Sequence, residues 1–418
     1  MITTTDRLPG LTLTNVTLEV PLDHANPDAG TIDVFARVVT GEGGEDKPYL
    51  VFLQGGPGNE APRPSLNPTN PPWLARALAD YQVVMLDQRG TGRSTPFGPS
   101  TGSGTATSSG TAADYLTHFR ADEIVNDCEA IRQALGAEQW TVLGQSFGGF
   151  TSLHYLSVRP ESLSGAIITG GLSAVQRPIE DVYAATWQIM ITKSEQYYQH
   201  FPGDRDRIRE LTRLAAAGEI RLPNGDVVSP DRLRTLGHRL GMQGGPEQLH
   251  YLLDLDHTSP AFAHDLAAAL PFGGRNPLYA VFHESSYADG VRTRWAADRT
   301  MPDQVREDPT LFAGEHLHRS LFGEASELEQ WAETADLLAE HDWPQLYFPE
   351  RLREADVPVA AAVYSGDAYV PLEFSLETAG MLPDCRTWVT SEFEHNGLRV
   401  GEAVLDRLID LLHGRRWL

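Results

Sequence analysis

Three residues of this chain have types that can perform nucleophilic chemistry together: Ser146, Asp367 and His395. A serine hydroxyl attacks a carbonyl only when a base removes its proton, and a carboxylate must hold that base in the working tautomer. Ser146 stands in "VLGQSFGGF", where Gly144, Ser146 and Gly148 give the pattern GxSxG behind a short apolar run. The pattern suits a sharp strand-to-helix turn that pushes the hydroxyl out of the carboxyl end of a sheet. With 38 glycines in the chain the pattern alone is weak, and a glycine-rich helix start with a capping serine would read the same way. Its partners strengthen it. "VYSGDAYVP" sets Asp367 after a strand-like run and "FEHNG" sets His395 after the last one, in the order serine, acid, histidine. Glu392 and Glu394 lie nearer His395 in sequence but read as solvated strand-end charges, so Asp367 is the expected acid.

Acyl transfer also needs backbone N–H groups aimed at the developing oxyanion. Phe147, next after the serine, supplies one; the "QGGPG" loop behind "YLVFL" supplies the other, with Gly56 the first choice and Gly55 the second. No metal site is expected, because "HLH" at 316 to 318 lacks a carboxylate at helical spacing and HExxH is absent. Nor does this chemistry require a cofactor.

The elements that must carry these groups are visible in the first half. "LTLTNVTLEV", "IDVFARVV", "YLVFLQGG", "YQVVMLDQRG" and "WTVLGQS" read as strands, the last three as buried ones. In "ADEIVNDCEAIRQALG", Ile124, Cys128, Ile131 and Leu135 fall on one helical face and Gly136 stops the helix. "GFTSLHYLSVRPE" carries a helix out of the Ser146 turn, and "LSGAIITGG" reads as the next strand, so a parallel sheet is expected. From Ser173 to Phe348 the pattern becomes long, polar and helical; strands resume at "VPVAAAVYSGDAYVP" and "CRTWVTSEFEHNG", and "EAVLDRLIDLLHGRRW" closes with an amphipathic helix. The expected architecture is α/β, a mostly parallel sheet flanked by helices. Residues 1–172 and 349–418 form its two parts and 173–348 a helical insertion. The glycine- and serine-rich stretch at 98–112 reads as a mobile surface loop.

Composition bounds the function. The 418 residues, 41% hydrophobic and 22% charged, suit a globular chain with a sizeable core. A formal charge of −24 repels phosphate backbones and anionic headgroups, so neither nucleic acid nor a membrane surface is an expected partner. The start carries no basic and apolar leader pattern, and no run approaches the roughly 18 apolar residues of a spanning helix, which points to a cytoplasmic protein. Cys128 and Cys385, the only cysteines, exclude a disulfide framework. Oligomeric state is not legible.

Taken in order, "FLQGGPG", "LDQRGTGRS", "GQSFGGF", "YSGDAYVP" and "EHNG" resemble the proline iminopeptidase (prolyl aminopeptidase) family of α/β-hydrolases, in particular its longer, large-cap members, over roughly residues 48 to 400. The resemblance implies a serine aminopeptidase releasing N-terminal residues, preferably proline, from peptides with a free N-terminus. It maps the same triad, Ser146, Asp367 and His395. Gln54 departs from the histidine of compact members, which leaves the backbone donors intact. Asp87 and Arg89 of "DQRGTGRS" are expected to fix loops. A cationic amine held beside the nucleophile demands carboxylates, and Glu284 in "YAVFHESSYADG" resembles the family's glutamate-bearing cap segment. Glu195 is a second candidate, while Tyr287, Phe282 and Trp187 could wall a proline-sized pocket. An esterase or amidase with the same triad is the alternative, and a ligand-binding protein on the same scaffold a more distant one. A buried carboxylate facing Ser146 separates the first reading from the second.

Overall fold

The computed structural model describes residues 1–99 and 109–416. One sheet of nine strands runs through the chain: β1 (Ile2–Leu8), β2 (Leu11–Pro21), β3 (Thr31–Gly41), β4 (Tyr49–Leu53), β5 (Gln82–Asp87), β6 (Trp140–Gln145), β7 (Leu163–Thr169), β8 (Val359–Tyr364) and β9 (Cys385–Thr390). Their spatial order is β1-β2-β3-β5-β4-β6-β7-β8-β9. The first three pair antiparallel, as does β3 with β5, and the remaining six strands are parallel. β1 is an addition to the expected strands: "ITTTDRL" lies wholly exposed as an edge strand, and its threonines, not an apolar alternation, carry the β preference.

The central strands read as unbroken apolar runs because both faces are buried. Alternate residues serve two cores: Val51, Val84, Val142, Ile168 and Ala361 on one face, Leu50, Val83, Leu143, Ile167 and Ala360 on the other. Against the first face pack α1 (Ala121–Ala134), through Ile124, Val125, Cys128 and Ile131, and α2 (Phe147–Val158), through Phe150 and Leu153. Gly136 follows α1 with φ +69°, the left-handed conformation that ends a helix there.

Between β7 and β8 the described chain contributes no strand to the sheet and is mainly helical. α3 (Ile179–His200), 22 residues and therefore roughly 33 Å long, starts it; short helices follow, among them α4 (Pro277–Phe282). The final helix α5 (Ala403–Leu412) covers the second face with Val404, Leu405, Leu408 and Ile409. Of the low-complexity stretch at 98–112, residues 100–108 lie outside those described, while Ser109–Leu116 is helical where a loop was expected. Ala112, Ala113 and Leu116 are buried there beside Phe97 and Phe119, so burial overrides the glycine and serine content.

Candidate active site

The turn after β6 is sharp. Ser146, the residue before α2, has φ +56° and ψ −122°, a conformation disfavoured for any side chain with a Cβ. Its N–H donates to the Thr169 carbonyl at 3.1 Å and its carbonyl accepts from Gly149 N–H at 2.7 Å, so the surrounding backbone holds the strain. The glycines around it are needed for approach: a Cβ on Gly148 would stand 1.9 Å from the Leu53 carbonyl oxygen, and one on Gly55 2.9 Å from Ser146 Cβ. Because β4 and β6 are neighbours, the "GGPG" loop is forced against the serine turn. Gly56 lines the cavity over Ser146. Phe147 begins α2, where the first N–H groups have no partner within the helix and the dipole favours negative charge.

His395 lies in the loop after β9 and Asp367 in the turn after β8, both buried. His395 Nε2 stands 2.9 Å from Ser146 Oγ, and Nδ1 stands 2.7 Å from Asp367 Oδ2. The other Asp367 oxygen accepts from Tyr369 N–H at 2.8 Å and Val370 N–H at 3.0 Å, which fixes the carboxylate. Burial works against a charged His395 ring, but Asp367's charge and hydrogen bond, with Glu315 farther away, outweigh it and hold the pKa above the ordinary histidine value. Of the competing acids, Glu392 is exposed and Glu394 binds Lys193 Nζ at 2.7 Å.

A cavity of about 100 Å³ covers the serine, lined by Gly56, Asn59, Ser146, Tyr279, Glu315 and His395, with Arg399 at its side. Glu315 comes from irregular chain in the insert and was not anticipated; its only sequence signal is the "GEHLH" run, which fails as a metal pattern. Tyr279 OH donates to Glu315 Oε1 at 2.5 Å, and His238 Nε2 and His283 Nε2 each lie 3.5 Å from the carboxylate. Burial alone would raise its pKa, yet hydrogen bonds and charge from the two histidines hold it well below the usual carboxylate range. The carboxylate is therefore biased toward its charged form, and it lines the same cavity as Ser146.

The other expected cap residues are placed elsewhere. Glu284 is buried, but its two oxygens accept from Ala296 N–H at 3.1 Å and Ala297 N–H at 2.9 Å, and burial raises its pKa. It is engaged in fixing a helix start, not aimed at Ser146. Glu195 is a half-buried partner of Arg205 at 2.6 Å. Tyr287 borders a separate chamber of about 10 Å³ behind Glu315, with Tyr183 and Tyr369, rather than the Ser146 cavity. Phe282 and Trp187 are fully buried, the first against Trp343 and the second stacked on His316, and fill core. Asp87 accepts from Ala61 and Arg93 N–H groups, and Arg89 grips buried Asp127 at 2.6 and 2.7 Å, so both hold loops.

Comparison with known proteins agrees with this architecture. A family model described as the alpha/beta hydrolase fold matches residues 48–218. A proline iminopeptidase of Aeromonas sobria is 42% identical over 407 residues, 94% of this chain and 94% of that protein. Proline iminopeptidase aneH of Aspergillus aculeatus is 31% identical over 403 residues, 91% of this chain and 89% of that one. A proline iminopeptidase of Neisseria meningitidis matches only 141 residues, 34% of this chain, at 32% identity. Full-length similarity to the first two, on a sheet that carries a helical insert between β7 and β8, establishes that the chain belongs to the proline iminopeptidase family of α/β-hydrolases.

Proposed function

We propose that this chain is a serine aminopeptidase that releases N-terminal residues, preferably proline, from peptides through an acyl-enzyme. The two full-length relatives named above are called proline iminopeptidases. The observation that carries the reading for this chain is Glu315: a largely buried carboxylate, with its pKa held low by His238 and His283, in the cavity that holds Ser146. An esterase or amidase of simple acyl compounds has no use for a desolvated charge there, whereas a substrate ammonium group would pair with it. Glu315 thus takes the part first expected of Glu284.

In the proposed cycle His395 removes the Ser146 proton as the oxygen attacks the first carbonyl, and Asp367 orients the ring and stabilises its cation. Backbone N–H groups of Phe147 and of Gly56, or Gly55, receive the oxyanion. His395 then protonates the departing amine, and a water deprotonated by the same ring releases the free amino acid. Residues 1–172 and 349–418 are taken as the hydrolase core and 173–348 as its cap domain. No helix among the described residues is long and apolar enough to cross a membrane. A cytoplasmic location is part of the proposal and is supported by two free cysteines, Cys128 and Cys385.

Arylamides of proline, alanine and N-acetylproline test the reading. Free proline arylamide should be hydrolysed fastest and the blocked one at background. Equal hydrolysis of free and blocked forms would return the chain to the esterase and amidase class.

A further inference from the structure

The cavity over Ser146, at about 100 Å³, is well below the roughly 300 to 1,000 Å³ of sites that enclose a drug-sized ligand. It has room for a first residue and little more, so the remainder of any peptide must leave it. A larger cavity of about 590 Å³ adjoins it on the insert, and Asn59 and Tyr279 line both. The boundary is built: Asn276 Nδ2 donates to Asn59 Oδ1 at 2.9 Å, while Asn276 Oδ1 accepts from Tyr279 N–H at 3.2 Å at the start of α4. A Cβ on Gly58 would stand 2.7 Å from Asn276 Oδ1, so the glycine loop beside the serine abuts this sill directly.

Beyond the sill the larger cavity is walled by Leu222, Phe272, Arg232, Arg275 and Glu327. Arg232 is 6% exposed, and its Nε has no hydrogen-bond partner among the described residues, although another nitrogen of its guanidinium reaches Asp226 and the Glu324 carbonyl. Glu327 is engaged by Gly274 N–H at 2.8 Å. Arg275 is 80% exposed on its side chain and touches Glu60 at 2.5 Å. Both guanidinium groups already have a carboxylate partner, Asp226 for buried Arg232 and Glu60 for Arg275, and of the two Arg275 is the exposed one that can exchange its partner for a ligand's carboxylate.

We infer that the groove beyond Asn59 binds the leaving part of the peptide, and that Arg275 recognises a carboxylate on it, either the C-terminus of a short peptide or an acidic side chain. The inference rests on the aminopeptidase reading above, which gives the substrate its direction: amine toward Glu315, scissile carbonyl at Ser146, following residues across the sill.

The test measures kcat/KM for prolyl-alanyl-alanine with a free carboxyl end, for its C-terminal amide and for prolyl-aspartyl-alanine amide. Proline arylamide serves as the control for the activity itself. Each preference is read as a ratio within one enzyme, so a general loss of activity cancels. Wild type should prefer a carboxylate-bearing peptide over the neutral amide about fivefold, the scale of an exposed guanidinium–carboxylate contact. The free end and the aspartyl peptide separate the two carboxylate sources. Arg275→Glu should bring the ratio to one or below, and Glu60→Gln, which releases Arg275 from its present partner, should increase it. A wild-type ratio of one for both carboxylate peptides, or a ratio untouched by Arg275→Glu, overturns the inference. If proline arylamide is not hydrolysed, the aminopeptidase reading falls instead.

Discussion

The hydrolase core and the helical insert each bring a charged group to the same cavity, by different means. Ser146, Asp367 and His395 follow the ends of β6, β8 and β9, so the sheet's register and the backbone of tight turns set their positions. Glu315 lies on chain without regular structure, and three side chains from two other parts of the insert, His238 from one and Tyr279 and His283 from α4 and its end, hold it. The core therefore fixes geometry through main-chain packing, where any added atom collides; the insert fixes charge through a side-chain network. Glu284 sharpens the contrast. It is more deeply buried than Glu315, but backbone amides are its partners and its pKa moves up, whereas histidines pull that of Glu315 down.

The largest effect should come from the core. Ser146→Ala is expected to lower turnover by about 10⁶, and Asp367→Asn by about 10⁴ because the wrong tautomer of His395 is then favoured. Thermal midpoints should hold in both, since the turn is maintained by backbone bonds. Appreciable turnover by the alanine variant would remove Ser146 from the mechanism, and a comparable loss in Glu392→Gln would move the acid.

A smaller, selective loss should come from the insert. Glu315→Gln keeps the shape and removes the charge, so kcat/KM for free-amine substrates should fall about 10²- to 10³-fold, the cost of leaving a buried cation unpaired. An acyl ester without an amine should be spared. Glu284→Gln should instead lower the thermal midpoint, through weakened bonds to Ala296 and Ala297, with little change in the ratio of amine to ester substrates. If the two variants exchange behaviours, the assignment of the amine clamp is reversed.

The two regions also meet in one titration. In the proposed cycle only the neutral His395 ring can accept the serine proton, and its pKa is raised, so activity should be lost as pH falls through a value above about 6.5. Asp367 is the largest contribution raising it and Glu315 a further one. With an ester lacking an amine, kcat against pH should show this single acid limb, and Glu315→Gln should displace it to lower pH. An unmoved inflection would mean that the insert's charge does not reach the catalytic ring.

This difference in support explains what the sequence made legible. The strands of the core, the GxSxG turn and the positions of Asp367 and His395 follow from local signals: apolar runs buried on both faces, and glycines where a Cβ cannot fit. Glu315 had no such signal, because its environment comes from residues 32 to 77 positions away and no periodicity links them. Glu284 looked better for the same reason that it failed: an acid in an apolar stretch is buried, but burial does not reveal which donors it will meet. The helix at Ser109–Leu116 escaped the reading because burial of Ala112, Ala113 and Leu116 overrides composition, and the edge strand β1 because its fully exposed residues show no apolar alternation.

The smallest effect probes whether the insert's backbone is as constrained as the core's. Gly148 cannot accept even one carbon, given the Leu53 carbonyl 1.9 Å from where it would sit, while Gly323, in the short helix Leu321–Glu324, has no atom within 4 Å of its own Cβ position and is exposed. Gly323→Ala should therefore stabilise the fold by about 0.5–1 kcal/mol, since alanine loses less backbone entropy in a helix. In a chain of 418 residues this corresponds to a rise in thermal midpoint of about 1 °C or less, measurable by calorimetry on matched samples. A fall would mean that the glycine meets a constraint like that at Gly148, and that the insert too is held by its main chain. A rise with unchanged kcat would locate the insert's functional precision where the rest of the comparison puts it, in the side chains around Glu315.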